Sequence, residues 1–460
     1  MGQTLTCISP IDGSVFAERT VLSREAAVAV AARARGAQAA WAARPLAERI
    51  DLVMAGVAAV GAMNDAIVPE LAHMMGRPIR YGGEFGGFNE RASHMASIAA
   101  EALADIAVGE DATFKRYIKR IPHGVVLVVA PWNYPYMTAI NTVAPALIAG
   151  NTVVLKHATQ TLLVGERMAA AFHDAGVPQD VFQNVFLDHD TTSELIARRA
   201  FDFVNFTGSV GGGQAMERAA AGTFTGVSTE LGGKDPGYVM EDADLDAAVD
   251  TLIDGAMFNA GQCCCGIERI YVHESLYDAF VEKAVEIVSG YTLGNPLDPD
   301  TTLGPMANVR FAAEVRAQID AAVAAGATAH IAPMVADDGA AYLTPQILTG
   351  VTHDMAVMRD ESFGPVVGIM KVSGDQEAIA LMNDSDFGLT ASLWTADVDR
   401  AAAVGDRIET GTVFLNRADY LDPGLCWTGC KNTGRGGGLS IIGYHNLTRP
   451  KSYHLKKVTG

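Results

Sequence analysis

The sequence predicts an α/β protein made of two doubly wound α/β domains, and three observations carry that expectation. Between residues 114 and 208, strand-like and helix-like stretches alternate, the pattern of a parallel sheet covered on both faces. The run Gly124-Val-Val-Leu-Val-Val-Ala-Pro-Trp132 is apolar almost without interruption, as a strand buried on both sides requires. The alternation then resumes from Asp242 to Asn416, which calls for a second sheet.

Taken in order, residues 1–22 alternate weakly around the turn Pro10-Ile-Asp-Gly13 and read as a hairpin or edge strands. Ser23 can cap an alanine-rich helix with Glu25 in its first turn, and a second helix follows with Leu46, Ile50, Val53, Met54 and Val57 on one stripe. Helical periodicity continues over 64–106, broken by the glycine-rich Arg80–Gly87; no strand precedes that run, so it separates helices and cradles no phosphate. A strand-like stretch begins at Phe114. After the apolar run come a helix over 136–148, a strand Thr152–Lys156, and a helix Leu162–Ala175 stopped by Gly176 and Pro178. A strand Val181–Phe186, a helix near Thr192–Arg199, a strand Phe201–Phe206 and a helix opening at Gly208 complete the first half. Beyond Glu230, a helix Asp242–Phe258 turns Leu245, Val249, Leu252, Ile253 and Met257 inward. The second half then reads as strand Arg269–His273, helices Leu276–Ser289 and Phe311–Ala324, strand Val366–Val372, helix Gln376–Asn383 and strand Gly411–Asn416.

Composition narrows the function classes. A chain of 460 residues with 49% hydrophobic and 19% charged residues is globular and large enough for a sizeable core. Its formal charge of −19 argues against nucleic acid or an anionic membrane held by a general basic surface, leaving only the local stretch Lys115, Arg116, Lys119 and Arg120. There is no long uninterrupted apolar run, and the start carries no basic-then-apolar signal. Met1-Gly2-Gln3 opens like a myristoylation site, but no second membrane signal follows. Free, closely spaced cysteines suit a reducing compartment, so a cytoplasmic protein is expected.

The chemistry centres on Met257–Arg269, reading MFNAGQCCCGIER. A disulfide framework is a poor account of three adjacent cysteines, because neighbouring side chains splay apart and only Cys7, Cys426 and Cys430 remain elsewhere. No metal is expected: Cys426 and Cys430 have a tolerable spacing, but no Cys-x-x-Cys or His pair stands near either group. Core packing and nucleophilic catalysis remain. The helical pattern closes at Ala260 and Gly261, so the cysteines emerge at a turn, where a reactive side chain can be presented.

A thiol nucleophile needs helpers that favour the thiolate and stabilise the charge it creates. Upstream lie Ala130-Pro-Trp-Asn-Tyr-Pro135, Phe206-Thr-Gly-Ser209 and Glu230-Leu-Gly-Gly-Lys234; downstream lie Glu361-Ser-Phe-Gly-Pro365 and Pro450-Lys-Ser-Tyr-His454. In this order they resemble the aldehyde dehydrogenase superfamily, from Asp12-Gly13 to the last fifteen residues. The resemblance implies a dinucleotide-binding domain over 1–110 and 124–231, a catalytic domain over 232–444, and a small β oligomerisation arm formed by 111–123 and 445–460. It also implies a homodimer or homotetramer, and a start without the longer leader of some relatives.

The resemblance further implies NAD or NADP as cofactor and a small-molecule aldehyde as partner. The usual GxGxxG fingerprint is missing, but Gly208, Ser209 and Gly213 follow a strand at a helix start, where backbone N–H groups can face pyrophosphate. Lys156 is implied at the adenosine ribose, Glu361 at the nicotinamide ribose, and Trp132 and Phe363 belong to the same cofactor set. Thr159 stands where relatives often carry a carboxylate, which removes a repulsion against a 2′-phosphate and predicts tolerance of NADP; His157 and Gln160 flank the same site. Cys264 matches the nucleophile, Asn133 with the Cys264 backbone N–H the oxyanion donors, and Glu230 the base that activates water. Cys263 and Cys265 are expected to pack. Tyr134, Thr138 and Asn141 would line the aldehyde tunnel, and the polarity of the latter two favours a small or polar substrate. In Trp427–Gly438 a later glutamate common in relatives is missing, which leaves Glu230 as the sole expected deacylation base. Two other readings remain: a CoA-acylating enzyme, which typically lacks the ELGGK carboxylate, and a silent protein on this fold, which would be expected to lose Cys264, Asn133 or Glu230.

Overall fold

The structure, a computed structural model, describes residues 3–335 and 340–458. Outside them lie Met1 and Gly2, on which the myristoylation reading falls, residues 336–339 of the second domain, and the last two residues of the arm.

Uninterrupted apolar runs become the inner strands of two parallel sheets. In the first, Phe182–Val185, Thr152–Lys156, Val125–Val129, Phe203–Gly208 and Gly226–Leu231 lie side by side in that order, all parallel. Val125–Val129 is buried along its whole length, because helices cover both faces. The chain winds outward from this strand in one direction and then returns to its other side at Phe203–Gly208, so the strand order reverses between them. A crevice opens at the carboxyl ends there, the usual place for a ligand in a doubly wound sheet. The helix Pro135–Ile148, almost entirely buried, starts from that crevice.

The second sheet runs Thr328–Ala329, Gln346–Thr349, Val366–Val372, Ile267–His273, Asp235–Val239, Thr390–Trp394 and Thr412–Leu415, parallel except for the first. Four of its strands and Gly226–Leu231 of the first sheet have no counterpart in the sequence reading. Asp235-Pro-Gly-Tyr-Val239 looks like a turn, yet it is a central strand. A register shift between Asp235 and Pro236 accommodates the missing N–H, and a Cβ on Gly237 would lie 2.7 Å from Leu252, so the glycine lets the helix Leu245–Met257 sit close.

A third sheet is antiparallel, with Phe114–Pro122 between Ile106–Glu110 and Thr448–Lys456. Its hairpin begins at Ile106, earlier than the expected start at 111, because the preceding helix Phe85–Ala102 ends sooner than its periodicity suggested. Among the described residues no single helix is long and apolar enough to cross a membrane.

Candidate active site

The helix Leu245–Met257 is capped by Asp244, whose Oδ1 accepts from the Ala247 N–H at 3.2 Å, and its apolar face buries Val249, Leu252, Ile253 and Met257. It cannot continue, because Asn259 (φ 56°), Ala260 (φ 55°) and Gly261 (φ 68°) are all left-handed. Such a run is strained unless its surroundings determine it. A Cβ on Gly261 would lie 2.2 Å from the Gly364 carbonyl oxygen, so the turn is pressed against the 361–365 loop. Asn259 Nδ2 donates to the carbonyls of Asn133 and Gln262, both at 3.2 Å, and Gln262 Oε1 accepts from the Ala307 N–H at 2.7 Å. A buried ion pair completes the support: Arg77 meets Glu84 at 2.6 Å, donates to the Asn133 carbonyl at 2.7 Å and reaches Asn259 Oδ1 at 3.3 Å. The other oxygen of Glu84 accepts from the Tyr136 and Met137 N–H groups at 2.9 and 2.8 Å. The loop that carries Asn133 and the turn that carries the cysteines are thereby joined.

Contrary to the expectation that adjacent cysteines splay, the three sulfurs converge within 4.8 Å of one another, and all remain free thiols. The flanking pair does more than pack: Cys265 and Cys263 donate to Asp419 Oδ1 at 2.9 and 3.3 Å. Cys264 is less buried than either neighbour. The adjacent Cys263 and Cys265 side chains, ahead of backbone N–H groups, hold the Cys264 thiol well below its usual range. Of the three thiols, Cys264 is the one shifted toward its thiolate form.

Glu230 lies near the end of the strand Gly226–Leu231 and is buried. Its Oε2 accepts from Thr207 Oγ1 at 3.4 Å, while Oε1 is sealed from solvent and has no partner among the described residues. Burial, then the negative Cys264, push this carboxyl up to about 7. Cys264, Glu230, Tyr134, Thr138 and Asn141 all line one cavity of about 430 Å³. Asn133 is buried behind that wall, with Nδ2 donating to the Gln262 carbonyl at 3.2 Å. Glu230 is not the sole carboxylate in the cavity, since Asp419, Asp254 and Glu90 also line it. Asp419 is committed to the two thiols, so the structure adds a thiol-holding carboxylate that no motif marked.

At the first sheet, Ser209 caps the helix Val210–Ala220 by accepting from the Gly212 N–H at 3.2 Å, and a Cβ on Gly213 would lie 2.7 Å from Leu231. Lys156 ends its strand at the crevice, 6% exposed, and its ammonium has no hydrogen bond or ion pair among the described residues; burial lowers its pKa. A buried ammonium without a partner fits an oxygen-rich ligand such as a ribose or phosphate. Thr159 is exposed nearby in the short turn Thr159–Thr161. His157 and Gln160 are otherwise employed. The buried His157 ring lies between the Pro135 carbonyl and Thr161 Oγ1 and is pulled down to about 4 by burial, while Gln160 donates to the carbonyls of Ile8 and Met74.

Trp132 stacks on Phe311 at 5.4 Å and meets Phe363 edge-on at 5.5 Å, so two expected cofactor residues share an aromatic wall with a third, Phe311, that no motif marked. Glu361 Oε1 accepts from the Gly233 N–H at 3.1 Å, and burial with the neighbouring Glu268 pushes its carboxyl up to about 8. Glu268 in turn accepts from the Ser362 and Phe363 N–H groups at 2.8 and 2.9 Å and from Lys234 at 2.5 Å, fixing the loop.

The chain belongs to the aldehyde dehydrogenase family, which it matches over residues 1–453. It is 32% identical over 452 residues to a succinate-semialdehyde dehydrogenase [NADP(+)] of Deinococcus radiodurans, covering 96% of this chain and 93% of that one. Among solved structures, it is similar to a succinic semialdehyde dehydrogenase from Streptococcus pyogenes in complex with NADP+ (TM-score 0.93, 29% identity, 98% and 100% of the two chains). It is also similar to PnpE in complex with nicotinamide adenine dinucleotide (TM-score 0.92, 28% identity, 98% and 94%). The protein is an oxidoreductase that converts an aldehyde to its carboxylic acid with NAD or NADP.

Proposed function

We propose that Cys264, Asn133 and Glu230 carry this oxidation, and that a short, polar aldehyde is the substrate. The observation that carries the proposal is the pairing, in one cavity, of a thiol held in its thiolate range with a buried carboxylate that has one free oxygen. The Cys264 thiolate attacks the aldehyde carbon, and the amide of Asn133 with the Cys264 N–H donates to the resulting oxyanion. When bound, the nicotinamide supplies the hydride acceptor that takes this adduct to the thioester level. Lys156, Thr159, Gly208, Ser209, Gly213, Glu361, Trp132 and Phe363 would hold it. Glu230 then takes a proton from water, which attacks the thioester and releases the acid. A carboxyl at about 7 is half ionised near neutrality and can accept that proton.

The first sheet with its helices (1–105 and 124–231) serves as the dinucleotide domain, 232–444 as the catalytic domain, and the antiparallel hairpin with the final strand as an arm that pairs copies into a homodimer or homotetramer. NADP is accepted as well as NAD, in line with Thr159 and with the NADP-dependent relatives. The enzyme acts in the cytoplasm, where its free thiols stay reduced. CoA-acylating use is disfavoured by the retained Glu230. The test is a panel of aldehydes assayed with each cofactor by absorbance of the reduced nicotinamide, with mass spectrometry for an acyl adduct on Cys264. No reduced cofactor with any aldehyde and no adduct would overturn the proposal.

A further inference from the structure

On the reading that Cys264 and Glu230 do the chemistry, we propose that Arg91 anchors an anionic group at the far end of the substrate, so that the preferred aldehyde carries a carboxylate. Arg91 sits on the helix Phe85–Ala102, whose inner face buries Phe88, Ala92, Met95 and Ala99. It is itself only 9% exposed and lines the same cavity as Cys264 and Glu230. Its Nη1 donates to the Met137 carbonyl at 3.0 Å and to Asn141 Oδ1 at 3.4 Å, which orients the guanidinium. The Nε–Nη2 edge has no hydrogen bond, and Arg91 no ion pair, among the described residues.

Leaving a buried guanidinium without a counter-charge is costly, and every other buried arginine described near the site is paired or bonded to carbonyls along its fork. The acidic residues of the cavity do not fill that role. Glu90 accepts from the Tyr420 hydroxyl at 2.6 Å and Asp419 from two thiols, while Glu230, which feels the Arg91 charge, and Asp254 form no ion pair with it among the described residues. Burial shifts Asp254 and Asp419 toward their neutral forms, and Arg91 is the one cation in the lining among the described residues. The open edge of a guanidinium is a planar fork of two parallel donors, the match of a carboxylate. The protein's net charge of −19 repels anions at long range, so selection of an anionic substrate has to come from this local contact.

The test compares kcat/KM of the full-length enzyme for succinate semialdehyde, butanal, glyceraldehyde 3-phosphate and an ω-amino aldehyde, before and after Arg91→Met and Arg91→Lys. The expected result is a strong preference for the semialdehyde over butanal. Arg91→Met should lower that preference about a hundredfold, chiefly through KM, and Arg91→Lys should restore part of it. Preference for the phosphorylated aldehyde would replace the carboxylate by a phosphate at the same anchor and so overturn the substrate class. Equal loss on semialdehyde and butanal, or a preference for butanal or the amino aldehyde, would overturn the role of Arg91 while leaving the oxidation itself standing. Absence of oxidation with all four would instead sink the reading on which the proposal rests.

Discussion

The reacting centre and the two recognition ends of this enzyme are built on opposite principles. Around Cys264 nearly every polar group has a partner: Asn133, Asn259 and Gln262 bond one another, the Arg77–Glu84 pair ties their loops together, and Asp419 holds the flanking thiols. At the recognition ends two buried cations stand without counter-charges, Lys156 at the crevice of the first sheet and Arg91 in the cavity. A closed network fixes geometry, which is what bond-making needs; an open cation keeps its binding energy for a ligand. Among the described residues two sealed polar atoms of the cavity residues stay open: the Tyr134 hydroxyl, and Glu230 Oε1, which suits the proposed activation of water.

Removing the nucleophile breaks the closed side outright. Cys264→Ala is expected to lower turnover by about 10⁴-fold or more, measured by reduced-cofactor formation, since no other thiol in the cluster is less buried or more acidic. Retained turnover in Cys264→Ala together with a dead Cys263→Ala would shift the nucleophile by one position.

Glu230→Gln should cost roughly 10²- to 10³-fold in turnover but leave one burst of reduced cofactor, with the acyl group trapped on Cys264. The unmodified enzyme should also lose deacylation as pH falls, with a midpoint below about 7, because burial still raises Glu230 while acylation removes the Cys264 charge that adds to the rise, and a protonated carboxyl cannot take the proton of water. Above about 7 the rate should level off, and the Gln variant should lack this limb. Undiminished turnover with no adduct would remove Glu230 from the mechanism.

Thr159→Glu tests the open crevice. A carboxylate beside Lys156 would repel a 2′-phosphate, so NADP use should fall relative to NAD by more than about tenfold in kcat/KM, roughly 1.4 kcal/mol. Equal effects on both cofactors would place Thr159 away from the 2′ position.

The smallest effect is expected from the flanking thiols. Cys263→Ala and Cys265→Ala should each keep activity within about threefold at neutral pH. Each should also move the rise of acylation with pH upward, because each removes a neighbour that lowers the Cys264 thiol. An unmoved profile would reduce these residues to packing.

The sequence by itself determined the class of fold, the alternation that builds both sheets and the cysteine turn, and it marked Asn133, Lys156, Glu230, Cys264 and Glu361 as the candidate site. These were legible because each sits in a short motif at the end of a strand or helix, where the backbone pattern dictates what can be presented. Strands such as Asp235–Val239 were not legible: their proline and glycines contradict local propensity, and only burial between neighbouring strands and the helix Leu245–Met257 makes them strands. Nor did the sequence announce Asp419, Glu268, Arg77 or Arg91. Their partners lie far along the chain, Asp419 reaching Cys265 and Arg91 reaching Asn141, and nothing in the local pattern marks a residue whose role is a contact with a distant one. The tertiary structure alone decided that three adjacent sulfurs converge and that two buried cations are left open for ligands, because burial and hydrogen-bond saturation are properties of the packed whole.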